Sequence, residues 1–180
     1  MVIAQRTLSG LRFHHRDSGL GQRMKWHQRD EALTRGFQLI EWTFDPLEIK
    51  NSFLNIEKLG AIARRYHVNQ YGITSSPLQG GLPSDRLVAE WWLNSARVLN
   101  RLNNQDLPPY NTSTTIQVPS AIYEWKASAA TRQQAGSLQQ QNRGMFQKAF
   151  SNGLSILRYE RNSSGDGAFV LGKWPEPWKY

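Results

Sequence analysis

The chain has 180 residues, 39% of them apolar, with seven Trp, no Cys and a formal charge of +8. That length and apolar share suit one packed domain, and the missing cysteine excludes disulfides, thiolate-bound zinc and a cysteine nucleophile. No window approaches 18 continuous apolar residues and the first twenty lack the apolar core of a signal peptide, so the expectation is a soluble cytoplasmic protein.

In chain order, Leu8, Leu11 and Phe13 alternate with polar neighbours and predict a short strand ending at His14-His15. Arg16-Asp17-Ser18-Gly19-Leu20-Gly21 follows as an R-x-x-G-x-G turn, and the composition from Leu20 to Arg35 predicts a helix capped by Gly36. Phe37 to Phe44 reads as a central strand covered on both faces. Asp45 with Pro46 and Glu48 predicts a capped helix running to Leu59, stopped by Gly60, and Ala61 to Val68 predicts the next strand. Gly72 to Ser84 predicts a long loop and Arg86 to Leu93 a strand. Residues 103–113, with Pro108-Pro109, predict a linker between a core at 1–102 and an αβ extension at 114–180. In that extension a strand at Thr115–Val118, a Gln-rich helix from Ala129 to Asn152 and strands at Leu154–Tyr159 and Ala168–Leu171 are expected.

The turn at Gly19-Leu20-Gly21 would place successive backbone N–H groups at a helix start, where unpaired donors and the helix dipole favour an anion. It lacks the G-K-[ST] ending of a Walker loop, and Met24 occupies the place of the third glycine of a dinucleotide fingerprint, which leaves coenzyme A as the better fit. A glycine-bearing turn with no ligand is the structural alternative. The four His match no metal spacing. Glu90 with Arg86 reads as a structural polar pair rather than a catalytic base.

Beyond that loop the chain resembles the GNAT acyltransferase superfamily, and more narrowly a branch of predicted acetyltransferases. The resemblance runs through Trp42-Thr43-Phe44-Asp45-Pro46-Leu47, Asn51, Asn55, Leu59-Gly60-Ala61, Tyr66 and Asn69-Gln70-Tyr71-Gly72. It continues through Asp85-Arg86, Glu90-Trp91, Ile116-Gln117-Val118-Pro119 and Phe146 to Tyr159, covering roughly residues 8–172. It implies an α/β fold with a mixed, twisted sheet flanked by helices and lacking the first strands of the standard fold. It also implies an acyl-CoA donor, acetyl-CoA or a relative, and a small-molecule amine acceptor, an amino acid being one candidate.

On that resemblance the pantetheine arm slips between the strands Leu8–Phe13 and Phe37–Phe44. Backbone groups near Leu11 and Phe13 would hold it, Arg16, Gly19, Leu20 and Gly21 would take the pyrophosphate, and Asn51 and Asn55 would reach the cofactor arm. The family's usual thiolate-protonating Tyr falls where this chain has Ile56, so Tyr66 and Tyr71 are the substitute acids, packing Tyr residues being the alternative. With Met1 so near the loop, a truncated product, a misassigned start and a partner chain or second copy that completes the sheet all stay open. So do two other readings: a non-catalytic assembly protein retaining a fold remnant, and a basic nucleic-acid-binding module. No membrane partner is expected.

Overall fold

The computed structural model describes residues 2–4, 20–73 and 80–175. In chain order the strands are β1 (Val2–Ala4), β2 (Leu39–Phe44), β3 (Ile62–His67), β4 (Arg86–Trp92), β5 (Thr112–Val118), β6 (Leu154–Arg161) and β7 (Gly167–Lys173). They form one sheet in the order β1-β2-β4-β3-β6-β7-β5. β1 pairs parallel with β2, Val2 opposite Leu39 and Ala4 opposite Glu41, and every other pairing is antiparallel. Because β2 and β3 both run antiparallel to β4, they are parallel to each other. The expected strand at Leu8–Phe13 lies outside the described residues.

Two helical crossovers serve these parallel strands. α1 (Leu20–Thr34) leads from β1 to β2, and α2 (Ile49–Ser52) runs on as a π-helix over Phe53–Lys58 toward β3. Both crossovers step in the same direction along the sheet, and right-handed connections then put both helices on one face. Ala32 of α1, Ile49 and Ile56 of the second helix and Ile40, Trp42 and Phe44 of β2 accordingly share one apolar cluster. α4 (Ile122–Ala127) and α5 (Arg132–Ser151) add Ile122, Ala135, Phe146 and Ala149 to the same cluster. Trp91 lies at its centre, with no exposed surface. Its indole N–H donates to the Leu59 carbonyl at 2.8 Å, and it meets Trp42 edge-on at a centroid distance of 5.8 Å.

Both expected glycine stops are present for the expected reason. Gly36 has φ +80°; its N–H donates to Leu33 O and that of Phe37 to Ala32 O, the paired bonds that satisfy a helix's last carbonyls. Gly60, at φ +75°, ends the π-helix, and a Cβ there would meet the Arg97 carbonyl at 3.0 Å.

The start of that helix corrects the sequence expectation. Asp45 does not cap it: its Oδ1 accepts from the Leu47 N–H at 2.8 Å in a preceding turn, and the helix begins only at Ile49 after Glu48. Glu48 Oε1 accepts from Lys126 Nζ at 2.7 Å. Nor is the helix α-helical to Leu59. The wider π turn buries the three consecutive residues Asn55, Ile56 and Glu57, which a narrower helix would spread over different faces.

The linker expected at 103–113 is also shorter, since β5 already starts at Thr112 and α3 (Ala96–Leu102) precedes it. The long Gln-rich helix starts at Arg132 rather than Ala129, with the separate α4 ahead of it.

The opposite face of the sheet carries a smaller cluster of Leu39, Ile62, Trp92 and Leu157, overlain by Tyr110 and Trp174. Arg97 of α3 is buried beside it, donating to the carbonyls of Gly60 at 2.7 Å, Ala61 at 3.2 Å and Leu157 at 2.7 Å. Burial holds its pKa down to about 10. This face also buries charge. A bulge in β3 between Ala63 and Tyr66 turns the neighbours Arg64 and Arg65 toward the same fully buried Glu90, their Nε groups donating to it at 3.0 and 3.2 Å. Arg65 also pairs with Glu41, which lies directly opposite Glu90 across the β2–β4 ladder. Arg86 does not pair with Glu90 as expected; its Nη1 lies 3.8 Å from Asp45 Oδ2.

Candidate functional site

In an open sheet with parallel strands, ligands bind beyond the strands' carboxyl ends. Pairing of β1 with β2 is described as far as Ala4 and Glu41, and β2 continues through Trp42, Thr43 and Phe44 alongside β4. The loop between β3 and β4 starts and ends at this same edge, because Phe44 faces Leu87 and His67 faces Arg86. That register brings Tyr71 to the end of β2, its hydroxyl 2.8 Å from Thr43 Oγ1. Tyr71 is 53% exposed, and the Arg86 guanidinium stands 5.6 Å from its ring centroid. An exposed phenol held by a neighbouring hydroxyl is oriented and still reachable by a ligand.

Tyr66 stands differently. Its hydroxyl donates to Asp85 Oδ2 at 2.7 Å, and its ring stacks on Phe146 with centroids 5.5 Å apart. Asp85 is fully buried and saturated: Arg143 grips it from Nε at 2.8 Å and Nη2 at 3.1 Å, and the Asn69 N–H donates to Oδ1 at 3.0 Å. Burial first, and the bond to Asp85 second, hold the Tyr66 phenol protonated far above its ordinary range. A phenol so placed ties the β3–β4 loop to the sheet and is a poor acid.

Asn51 is exposed on α2, while Asn55 is 1% exposed with its Nδ2 lacking a partner among the described residues. Ile56 is entirely buried in the main cluster. Leu20 opens α1, and a Cβ on Gly21 would stand 4.0 Å from Leu54 Cδ2, so the start of α1 rests beside the π-helix. Leu11, Phe13, Arg16 and Gly19 lie outside the described residues.

Three arrangements near this edge were not read from the sequence. Lys126, 4% exposed, reaches Asp45 at 3.2 Å and Glu48 at 2.7 Å. Burial works against its charge, and the two carboxylates outweigh that and raise its pKa. Lys25 of α1 places its Nζ 3.6 Å from the Trp42 ring centroid, and burial lowers its pKa to about 8. An open groove of about 680 Å³ runs along α5 from Arg132 to Arg143 beside Leu82 and Pro83. The charged contacts join residues 58 to 81 positions apart, which periodicity cannot register. Gly80 and Gly81, both at positive φ, were the available hint of a close approach: a Cβ on Gly80 would overlap the Lys126 carbonyl at 2.6 Å.

Among the described residues no group of His, Asp and Glu is arranged to hold a metal ion, and no helix is long and apolar enough to cross a membrane. No family model, curated protein or solved structure matches the chain.

Proposed function

We propose that the chain is an acyl-CoA-dependent N-acyltransferase of the GNAT type, taking acetyl-CoA or a related thioester and a small-molecule amine. The observation that carries this reading is the parallel β1–β2 pair joined through α1 and followed by a second parallel crossover through the π-helix to β3, with β4 inserted between β2 and β3. In such an arrangement the start of α1 offers backbone donors to the pyrophosphate, and pantetheine lies between β1 and β2 as an added strand. The amine attacks the thioester carbonyl and gives up a proton to solvent, the C–S bond breaks, and the departing thiolate takes a proton. Tyr71, exposed and oriented by Thr43, is the group suited to supply that proton.

Calorimetry of the full chain with acetyl-CoA tests the cofactor site. Saturable binding is expected, weakened at least about tenfold by Gly21→Trp, whose indole would cover the first turn of α1 and press on Leu54. No heat from the unaltered protein would sink the proposal. Tyr71→Phe is expected to leave acetyl-CoA affinity intact and to lower turnover by about a hundredfold; unchanged turnover would remove Tyr71 from the chemistry.

A second reading, a non-catalytic binding or assembly protein, is favoured by the buried Ile56 in place of the usual acid and by Tyr66 being committed to Asp85. Acetyl-CoA binding without turnover across a panel of amines selects it.

A further inference from the structure

The cavity between α5 and the Leu82–Pro83 segment has a one-sided chemistry. α5 contributes Arg132, Gln133, Gly136, Ser137, Gln140 and Arg143 in rows four and three or four apart, so a single helical stripe forms one wall. At the middle of that stripe Gly136 faces Leu82, whose Cδ2 lies 3.7 Å from where a Cβ would stand. The wall has guanidinium, amide and hydroxyl groups and no carboxylate. Arg143 is committed to Asp85 through Nε and Nη2, which fixes its guanidinium at the cavity's far end. Arg132 is exposed at the near end, its Nη1 standing 3.6 Å from the point where Gly81 would carry a Cβ. With glycine there, the guanidinium packs against bare backbone while Arg132 still lines the groove.

The lower wall is fixed as well. Gln139, 2% exposed, donates to the Pro83 carbonyl at 2.8 Å, and the Asp85 anchor holds the loop two residues further on. The space is thus preorganised, which lowers the ordering cost that binding must overcome. Its volume of about 680 Å³, in a groove largely open to solvent, can admit a small ligand.

We propose that this cavity is a binding site for a small ligand bearing an oxyanion, a carboxylate or a phosphate, held by the Arg132 guanidinium with side-chain amide and hydroxyl donors beside it. A planar guanidinium matches either group with two parallel hydrogen bonds. None of its lining residues belongs to the proposed coenzyme A site, and the proposal stands or falls without that site.

The test is calorimetric titration of the full chain, free of any coenzyme A compound, with inorganic phosphate and with succinate in parallel. Saturable binding of at least one is expected, and the tighter of the two identifies the group. Arg132→Glu is expected to weaken it by about tenfold or more, the value of one charge-assisted contact. Lys148→Glu, an equal change of charge on the last turn of the same helix, is expected to change it less than about twofold. Both side chains are exposed, so melting temperatures near that of the unaltered protein are expected and confirm that each variant folds. Failure of both anions to saturate, or equal weakening by the two variants, overturns the proposal.

Discussion

The two faces of the sheet solve burial in opposite ways, and adjacent residues on β4 show it. Trp91 points into the helix-covered face, where it is surrounded by Trp26, Trp42 and the end of the π-helix. Glu90, equally buried, points to the other face and is satisfied by Arg64 and Arg65. One face gains from area removed from water. The other must first recover the cost of desolvating charge, and recovers it through paired guanidinium–carboxylate bonds.

Removing each side chain in turn separates these two accounts. Trp91→Ala is expected to cost about 4 kcal/mol in chemical denaturation, from the lost transfer energy, the cavity left and the stranded Leu59 carbonyl. A cost below that of Glu90→Ala would reverse the comparison. Glu90→Ala itself is expected to cost about 2 kcal/mol, less than breaking a sealed ion pair, because Arg64 and Arg65 keep enough surface to rehydrate. Glu90→Leu sharpens the point: if burial matters more than charge on this face, it should restore part of that loss.

The contrast also explains which parts of the molecule were legible in the sequence. The helix-covered face announces itself through local signals: Gly36 and Gly60 stop their helices where the composition says, and β2, β4, β6 and β7 fall within a few residues of their apolar runs. α3 and α4 escaped because each spans under two turns, too short to show a helical period, and buries one apolar side chain, Val98 in α3 and Ile122 in α4. The charged face is set by contacts between distant residues. Arg86 and Glu90 share one strand, yet the bulge at Arg64-Arg65 delivers the cations that Glu90 uses. Asp45 and Glu48 have the spacing of a capping box, and Lys126, 78 residues beyond Glu48, competes for the carboxylates. For the candidate site the same divide holds. Tyr66 and Tyr71 were visible as residues, but only the strand register separates the anchored phenol from the reachable one.

Lys25 brings the charged account onto the apolar face, and it gives the smallest and most specific effect. Its amine lies over Trp42, where ring attraction offsets only part of the desolvation, so its pKa falls to about 8 from an unfolded value of 10.5. Between those values the unfolded chain holds more protons than the folded one, so this group makes stability rise with pH above about 8 and impose a constant cost below it. Burial raises the pKa of Tyr66 and Tyr159 above 10.0, so from there upward the folded state binds the extra protons and their contribution falls with pH. The clean window is therefore pH 8 to 10. Lys25→Met is expected to stabilise the protein at pH 7 by about 1 kcal/mol, allowing for solvent screening and the lost ring contact. It should also flatten the rise in denaturation midpoint across that window. A rise of unchanged slope would mean that the amine over Trp42 is not the group being desolvated, and the apolar face would then carry no charge penalty at all.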